Sequence, residues 1–244
     1  MTYRERVIQV SEAHSYAEGF NGRLTKYRTR TISEYIKGGT VLELGCGEGA
    51  ITRFLVKTCV RVVALEPAPR FYNILTEKVR SPNLETHKVF TEDFQSDEKF
   101  DYVVASGVLE HVEDVSKFLE SAKRFMRKDS QLLLTVPNAT SLHRRIGKEM
   151  GLIGSLDELG PLDKKVGHYR YYDFPTLRQD LEANGLSVQT LEGIFLKPFP
   201  SMDMMWLPEE YYYDALYEVG KQTPEFCAEI FAVSTLKEQA NHGG

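Results

Sequence analysis

Short apolar runs recur along the middle of the chain, and most are separated by segments in which apolar residues recur at helical spacing. The runs predict strands at Val41–Leu44, Arg61–Leu65, Glu85–Val89, Phe100–Ala105 and Gln131–Val136. The intervening segments predict helices at Ala50–Lys57, Arg70–Arg80 and Val115–Met126. Strands that are joined by helices rather than by hairpin turns pair in parallel. The pattern therefore predicts an α/β fold with a doubly wound, mainly parallel sheet.

Two further segments of helical character precede the first predicted strand. The first covers Val7–Glu18, and the second covers Leu24–Ile36 and is closed by Lys37-Gly38-Gly39 as a C-terminal stop. We expect these helices to form an N-terminal helical cap over residues 1–39, with the main domain at residues 40–244.

The regular alternation breaks down twice in the second half of the chain. It loosens after Pro137 and resumes with a predicted helix at Thr176–Asn184. Predicted strands at Leu186–Leu196 and Phe226–Leu236 enclose a second irregular stretch, which is rich in Pro, Met and Tyr. Long irregular connections inside a compact domain usually carry function. We therefore expect two functional insertions, near residues 139–174 and 197–225.

The composition supports one globular domain and argues against several other classes of protein. The chain has 244 residues, of which 42% are hydrophobic, enough for a substantial core. Its 30 basic and 35 acidic residues give a net charge of −5, which disfavours a nucleic-acid partner. No run approaches the roughly 18 apolar residues of a membrane span, and the charged N-terminus lacks an apolar signal region. We therefore expect a cytoplasmic protein without membrane contact.

The first predicted strand ends abruptly in a glycine-rich turn, Gly45-Cys46-Gly47-Glu48-Gly49. Glycines allow positive φ and bring backbone N–H groups close to a ligand. Glu66 ends the second predicted strand, 17 residues after Gly49, where a carboxylate can accept both hydroxyls of a ribose. The turn and the acid together indicate an adenosine ligand. A nicotinamide dinucleotide is disfavoured, because its turn is usually G-x-G-x-x-G and here the third glycine comes one residue early.

Four motifs in order resemble those of the class I methyltransferases that depend on S-adenosylmethionine (SAM). The segment from Glu43 to Gly49 is similar to the signature E-x-G-x-G-x-G, and Glu66 matches the acid that holds the SAM ribose. Asp93-Phe94 matches the position that flanks the adenine, and the segment 106–112 resembles the fourth-strand motif of small-molecule methyltransferases. The resemblance covers residues 40–137. It implies a seven-stranded Rossmann-like sheet whose last strand is antiparallel.

The resemblance also implies which residues contact SAM. They are Glu43, Gly45, Cys46, Gly47, Gly49, Glu66, Pro67, Asp93, Phe94 and Ser106, with Tyr16 and Arg28 from the cap. Pro67 departs from the family pattern, because many relatives have a flexible polar residue there and proline stiffens the turn. We expect it to change the ribose geometry slightly without loss of binding.

Three histidines are candidates for the base that an alcohol acceptor needs, because a neutral hydroxyl is a poor nucleophile. His111 follows the fourth predicted strand, and His143 and His168 lie in the first insertion. Residues suited to hold an acceptor are Glu110, Asn138, Arg144, Arg145, Tyr169, Arg170 and Trp206. Three other interpretations stay open: structural roles for the histidines, a solvated helix face for the two adjacent arginines, and core packing for the tryptophan.

The expected reaction is methyl transfer to a hydroxyl of a small polar metabolite or of a glycan or sugar precursor. N-methylation of an amino sugar or another small amine is the alternative, because an amine needs only to be unprotonated. A non-catalytic SAM-binding partner subunit is the alternative from another class, and the intact glycine turn argues against it. No Cys, His or acid spacing resembles a metal site, so no metal is expected. A homodimer stays open.

Overall fold

The computed structural model describes residues 2–13, 15, 18–207 and 210–238. Its strands are β1 (Thr40–Leu44), β2 (Arg61–Leu65), β3 (Leu84–His87), β4 (Phe100–Ser106), β5 (Met126–Pro137), β6 (Leu186–Leu196) and β7 (Cys227–Leu236). They form one seven-stranded sheet with the order β3-β2-β1-β4-β5-β7-β6. Strand β7 runs antiparallel to both of its neighbours, and the other pairs are parallel. The predicted fold class and the antiparallel last strand are confirmed.

Helices cover both faces of the sheet. They are α1 (Tyr3–Ala13), α2 (Gly19–Tyr35), α3 (Thr52–Thr58), α4 (Pro69–Lys78), α5 (Val115–Lys123), α6 (Leu142–Glu149), α7 (Pro161–Lys165), α8 (Phe174–Ala183), α9 (Ser201–Met204) and α10 (Glu210–Gly220). Short 3₁₀ turns lie at Leu109–His111 and Pro224–Phe226. Helix α5 ends before Met126, its predicted limit, because Met126 pairs with Phe100 and begins β5.

Each face of the sheet has its own hydrophobic core. Leu42 and Leu44 of β1 pack on one face with residues of α5 and α8. Val41, which alternates with them, packs on the other face with residues of α2, α3 and α10. Burial on both faces explains why these strands are almost continuous apolar runs in the sequence.

Helix α2 belongs to the core of the sheet, although it lies within the predicted cap. Its Tyr27 and Ile32 are buried in the same cluster as Phe195 of β6 and Tyr217 of α10. The ring centroids of Tyr27 and Phe195 are 5.1 Å apart. Helix α1 ends at Ala13, earlier than predicted, and residues 14, 16 and 17 lie outside the described part of the chain.

Both expected insertions contain short helices that their sequences do not reveal. Helices α6 and α7 lie in the first insertion, and α9 and α10 lie in the second. Helix α7 has only five residues, too few for a periodic apolar pattern. Among the described residues, no helix combines the length and the apolar character that a membrane crossing requires.

The topology opens a crevice between β1 and β4. Strand β1 pairs in parallel with β2 on one side and with β4 on the other. Helix α3, which follows β1, packs on one face, whereas α5, which follows β4, packs on the opposite face. Because the two connections diverge, the carboxyl ends of β1 and β4 are where a ligand has room to bind.

Candidate active site

A cavity of about 510 Å³ opens at the carboxyl ends of β1 and β4. The glycine turn after β1 lines one wall, and the turn after β4 together with both insertions lines the other. Residues of α1 and α2 complete the lining. The volume lies within the roughly 300–1,000 Å³ that is usual for small-molecule sites.

The cavity brings together residues predicted for the cofactor and for the acceptor. Predicted residues that line it are Arg28, Glu43, Gly45, Cys46, Gly47, Glu66, Pro67, Ser106, Glu110, His111, His143 and His168. Predicted residues that do not line it are Gly49, Asp93, Phe94, Asn138, Arg144, Arg145, Tyr169, Arg170 and Trp206. Tyr16 lies outside the described residues.

Two of the three glycines in the turn after β1, Gly47 and Gly49, have different constraints. Gly47 has φ 55°, and a Cβ there would meet no protein atom within 4 Å, so a side chain would extend into open space at the cavity wall. Gly49 has φ 79°, and a Cβ there would lie 2.6 Å from Leu75 Cδ1 and 2.9 Å from Val79 Cγ2. Gly47 therefore leaves space for a ligand, whereas Gly49 allows α4 to pack against the turn.

Glu66 joins the glycine turn to the end of β2. Its Oε2 accepts a hydrogen bond from Gly47 N at 2.8 Å, and its Oε1 accepts one from Ala68 N at 2.8 Å. Burial raises the pKa of Glu66 to about 7, against the opposite effect of the two backbone donors. Each oxygen keeps a further lone pair, so the carboxylate can still accept the two hydroxyls of a ribose. The glycine turn and Glu66 therefore fit the adenosine part of SAM.

Glu43, in β1 just before the turn, is hydrogen bonded to the start of α3, the helix that follows the turn. Its Oε2 accepts a hydrogen bond from Thr52 Oγ1 at 2.6 Å. Burial raises the pKa of Glu43 to about 8, and the hydrogen bond from Thr52 works against this shift. The backbone N–H of Cys46 donates to Leu65 O, 3.1 Å away at the end of β2, so the turn is attached to both neighbouring strands.

The N-terminal helices supply polar side chains to the cavity. Arg28 of α2 donates through Nε and Nη2 to the two carboxylate oxygens of Glu229 on β7, with an Nε to Oε2 distance of 2.6 Å. Glu229 is 3% exposed. Ser15 Oγ donates to the carboxylate of Glu48 in the glycine turn at 3.0 Å. The N-terminal part of the chain is therefore attached both to β7 and to the glycine turn.

Glu110, His111 and His168 form a cluster in the cavity that the glycine turn also lines. One ligand atom from each of the three lies within 4.8 Å of the others. The imidazole centroids of His111 and His168 are 4.7 Å apart, with the rings edge to face. Burial raises the pKa of Glu110 to about 7, which the nearby His168 counteracts. Within the described part of the chain, Glu110 Oε2 is buried and has no hydrogen-bond partner.

Asp163 of α7 lies beside His168. Its Oδ1 is 3.5 Å from His168 Nδ1, which has no hydrogen-bond partner among the described residues. The same Oδ1 accepts a hydrogen bond from Tyr171 at 2.8 Å, while Oδ2 accepts one from Gly160 N at 2.8 Å. Burial favours the neutral acid, but the nearby His168 and the bonds from Tyr171 and Gly160 keep the pKa of Asp163 below its usual value. A carboxylate beside the ring can stabilise an imidazolium once Nε2 has taken a proton.

The cluster also has the composition of a metal site, although the expectation that the chain has no metal stays a prediction. Two imidazoles and one carboxylate are a ligand set that divalent transition metals use, usually with open positions for a substrate. Glu110 and His111 are adjacent in sequence, whereas His168 comes from the first insertion. Only the fold brings the third ligand close, which is why no sequence spacing revealed the set.

Several polar residues of the first insertion hold its backbone instead of lining the cavity. The Asn138 amide donates to Glu225 O and Cys227 O, both at 2.9 Å. Arg144 donates to Leu156 O at 2.7 Å and to Glu158 O at 2.6 Å, and Arg145 donates to Thr140 O at 2.7 Å. Their donors are thus used by backbone carbonyl groups.

The segment 169–170 holds the turn that follows β4. Tyr169 N donates to Glu110 O at 2.8 Å. Arg170 donates to the carbonyl oxygens of Leu109, Val112 and Glu113. Arg170 is therefore a residue that fixes the position of Glu110 and His111 without lining the cavity.

Three more predicted site residues lie elsewhere. Asp93 forms an exposed ion pair with Arg4 at 2.6 Å. Phe94 is buried in the main core. Trp206 is 84% exposed in the short segment after α9.

Residues that line the cavity and were not in the predicted set include Asp163, Tyr171, Lys197 and Glu229. Glu229 did leave a signal, because it is the one acid within the otherwise apolar start of β7. Lys197 also left one, because it directly follows the apolar end of β6. Asp163 and Tyr171 have no such signal, since they lie in an irregular polar segment.

Comparison with known proteins identifies relatives over most of this region. A family model for the methyltransferase domain matches residues 16–191. The mitochondrial ubiquinone biosynthesis O-methyltransferase of Bos taurus is 31% identical over 174 residues, which are 67% of this chain and 45% of the bovine protein. The Homo sapiens protein of the same name is 31% identical over 173 residues, 66% of this chain and 45% of that protein. The match thus spans about half the length of these curated relatives.

Solved structures share the fold at low sequence identity. An S-adenosylmethionine dependent methyltransferase from Mesorhizobium loti has a TM-score of 0.63 at 14% identity, covering 89% of this chain and 100% of that chain. The 1,6-didemethyltoxoflavin-N1-methyltransferase of Burkholderia thailandensis, solved with its substrate and S-adenosylhomocysteine, has a TM-score of 0.62 at 12% identity, covering 98% and 92%. Since the family model covers more than half of the chain, the protein belongs to the methyltransferase-domain family, and it shares its fold with SAM-dependent methyltransferases.

Proposed function

We propose that this methyltransferase transfers the methyl group to oxygen, at a phenolic hydroxyl of a small aromatic acceptor. The observation that carries the proposal is the cluster of Glu110, His111 and His168, which lines the same cavity as the glycine turn. The cluster lies where the turn after β4 meets the first insertion, so an acceptor beside it would share the cavity with a cofactor bound at the glycine turn.

An oxygen acceptor explains why the cavity contains bases. SAM supplies a methyl group on a positively charged sulfur, and the new C–O bond forms as the S–C bond breaks with its electrons left on sulfur. His168 Nε2 takes the hydroxyl proton, and the Asp163 carboxylate stabilises the resulting imidazolium. An imidazole can deprotonate a phenol, with a pKa near 10, far more readily than an aliphatic alcohol, whose pKa is closer to that of water.

The rest of the lining suits an aromatic ring. Apolar side chains that line the cavity are Leu24, Ile51, Val108, Leu162, Val166 and Met202. Sites for apolar ligands combine such a lining with a small number of polar groups that fix orientation. A sugar or glycan precursor, which the sequence favoured, would leave many hydroxyls facing these side chains. The bovine and human relatives are named as O-methyltransferases, which also supports transfer to oxygen.

N-methylation is the alternative and makes a different demand on the cluster. An amine attacks once it is unprotonated, so it needs no oriented base. Substitution of the base would then change the rate little at a pH where the amine is already neutral.

The proposal is tested by incubating the protein with methyl-labelled SAM and 3,4-dihydroxybenzamide or a matched amine, 3,4-dimethoxybenzylamine. We expect a product that mass spectrometry shows to be methylated on a ring hydroxyl. We expect no product with Gly47→Arg, whose side chain would fill the space beside the glycine turn. Product from the amine alone would overturn transfer to oxygen.

The same assay with EDTA distinguishes two uses of the cluster. Activity that survives chelation assigns the cluster to direct proton transfer. Activity that is lost and then restored by Mg²⁺ or Zn²⁺ assigns the three side chains to a metal ion that would itself lower the pKa of the bound hydroxyl.

A further inference from the structure

Lys197 places a buried ammonium group in the wall of the cavity. It directly follows β6 and is 9% exposed. Its Nζ donates a hydrogen bond to Ser201 Oγ at 2.9 Å and lies 5.1 Å from the centroid of the Phe20 ring. One of its three donors is thus used by a hydroxyl of α9, and the ammonium lines the cavity.

The charge of Lys197 is not balanced by an ion pair. Among the described residues, no carboxylate oxygen lies within 4.0 Å of its Nζ. Glu229 and Asp163 are the acids that act on it from a greater distance. Glu229 already receives two bonds from Arg28, and Asp163 serves His168, Tyr171 and Gly160. Burial accordingly lowers the pKa of Lys197 to about 8, so most molecules carry the charge at pH 7.

His143 lies beside Lys197 and adds a neutral donor. Its backbone N donates to Lys197 O at 3.1 Å, and both side chains line the cavity. Burial, together with the charges of Lys197 and Arg144, lowers the pKa of His143 to about 2. The Nδ1 of His143 is buried without a hydrogen-bond partner among the described residues. A buried ammonium and a neutral imidazole with an unused ring nitrogen therefore lie side by side.

The backbone before Lys197 is held in an unusual conformation. Phe195 has φ 66°, and it is the only non-glycine residue with positive φ in the described part of the chain. Its ring is buried and packs against Phe20, Tyr27 and Tyr213. Gly220 of α10 packs so closely on this strand that a Cβ there would lie 2.9 Å from Leu196 N. Strain that the surrounding packing maintains is characteristic of functional sites.

We propose that Lys197 and His143 bind a carboxylate group carried by the acceptor. This inference rests on the proposed function and specifies its substrate class as a phenol that also bears a carboxylate. One acceptor oxygen accepts from the Lys197 ammonium, and the other accepts from the His143 ring. The pair fixes the distance between the carboxylate and the hydroxyl that faces His168.

A carboxylate fits this part of the cavity better than other anions. A single ammonium with one neutral neighbour matches one negative charge, whereas a phosphate monoester carries nearly two and is usually bound by several cations. The methionine carboxylate of SAM has the same chemistry, but the glycine turn and Glu66, which we assign to the cofactor, lie at the ends of β1 and β2. Lys197 follows β6, and three strands, β4, β5 and β7, separate β6 from β1 in the sheet.

The test compares two acceptors that differ only in charge, 3,4-dihydroxybenzoate and 3,4-dihydroxybenzamide. We expect the wild-type protein to have a kcat/KM about 10- to 100-fold higher for the acid, the range of one charge-assisted hydrogen bond. In Lys197→Met we expect the preference to disappear, so that the ratio of kcat/KM for the acid to kcat/KM for the amide falls to about 1. Lys197→Arg, which keeps the charge, should retain part of the preference. Lys128→Met, at an exposed lysine of β5, is the matched control.

Calorimetric titration of the protein with acceptors and with SAM distinguishes an error in the carboxylate site from an error in the proposed reaction. Equal affinity of the wild-type protein for acid and amide, or a preference that survives in Lys197→Met, would overturn the proposal. Weaker binding of SAM to Lys197→Met would also overturn it, because the partner would then be the cofactor's carboxylate. Benzoate and benzamide are titrated into the complex with S-adenosylhomocysteine as a readout without turnover. Lys197-dependent binding of benzoate without methylation of any phenol would refute the proposed reaction and leave the carboxylate site standing.

Discussion

Arg28 on α2 and Glu229 on β7 form an ion pair with two hydrogen bonds, joining residues 201 positions apart in the chain. The side chains of Arg28 and Glu229 are 16% and 3% exposed. The pair attaches the second N-terminal helix to the strand that runs antiparallel to the rest of the sheet. It also neutralises an arginine that would otherwise compete with Lys197 for an anionic ligand.

Removal of one partner from this pair should cost more than removal of both. Arg28→Met leaves the Glu229 carboxylate buried and unpaired, and we expect a loss of about 3 kcal/mol in the free energy of unfolding. The double variant Arg28→Met, Glu229→Met should be more stable than Arg28→Met alone, because no buried charge is left without a partner. Urea denaturation of the two variants measures the difference. A double variant that is the less stable of the two would refute a buried, mutually dependent pair.

Alanine at Gly47 should mainly weaken SAM binding, whereas alanine at Gly49 should mainly destabilise the fold. At Gly47 the cost to folding is that of positive φ, about 1–2 kcal/mol, whereas the added methyl group occupies ligand space and should weaken SAM binding. At Gly49 the same strain is joined by overlap with Leu75 and Val79, so we expect a loss of about 2–5 kcal/mol. Urea unfolding without ligand and calorimetric titration with SAM check the two effects separately. The assignment fails if Gly47→Ala is the more destabilising change.

The buried Glu43 should make the stability of the ligand-free protein depend on pH. Its pKa rises from 4.5 in the unfolded chain to about 8 in the fold because of burial. Between these values the folded state binds more protons, so the free energy of unfolding decreases as the pH rises. Relative to Glu43→Gln, the wild-type protein should lose up to about 1.4 kcal/mol per pH unit within this window. Denaturation of both proteins from pH 5 to 8 gives the difference, and parallel curves would contradict the shift.

Substitution of His168 should reduce the chemical step without reducing cofactor binding. We expect His168→Gln to lower kcat by roughly 10²- to 10⁴-fold, the usual contribution of a general base. Asp163→Asn should cause a smaller loss, because it removes the charge that stabilises the protonated ring. His87→Gln, at a histidine of β3 paired with Glu85, is the control and should keep its activity. Unchanged kcat in His168→Gln, with SAM affinity intact, would exclude His168 as the base.

The contact between the glycine turn and Glu66 could be predicted because its signals are local. Gly47 and Gly49 lie in one turn, and Glu66 ends the next strand along the chain. Parallel pairing of Leu44 with Leu65 then brings the turn and the acid together without help from distant segments. Two adjacent strands of a parallel sheet end at the same edge, so the sequence pattern alone was sufficient here.

The acceptor half could not be predicted in the same way, because distant segments build it. His143 and Lys197 meet only because the first insertion reaches across to the end of β6, and Arg28 meets Glu229 across most of the chain. Hydrophobic periodicity encodes which residues are buried, but it does not encode which buried polar groups face each other. A lone acid in an apolar strand, such as Glu229, and a lysine directly after such a strand, such as Lys197, are the traces that these groups leave.

Polar residues in an irregular segment are also easily mistaken for functional ones. Asn138, Arg144 and Arg170 have the chemistry of ligand-binding groups, yet their donors are used by backbone carbonyl groups. Chain that forms neither a helix nor a strand still has to satisfy its buried backbone groups. Long irregular insertions therefore need such side chains for their own structure.

The contacts of Tyr169 and Arg170 with the turn after β4 also limit how this enzyme can be re-engineered. The first insertion holds the backbone of Glu110 and Val112 directly, so it cannot be exchanged as an independent cassette. A chimaera that imports another insertion without an arginine at position 170 would leave three carbonyl groups of that turn without their donor. Exchange of substrate preference by grafting should therefore begin after Tyr172 or keep residues 168–172 of this chain.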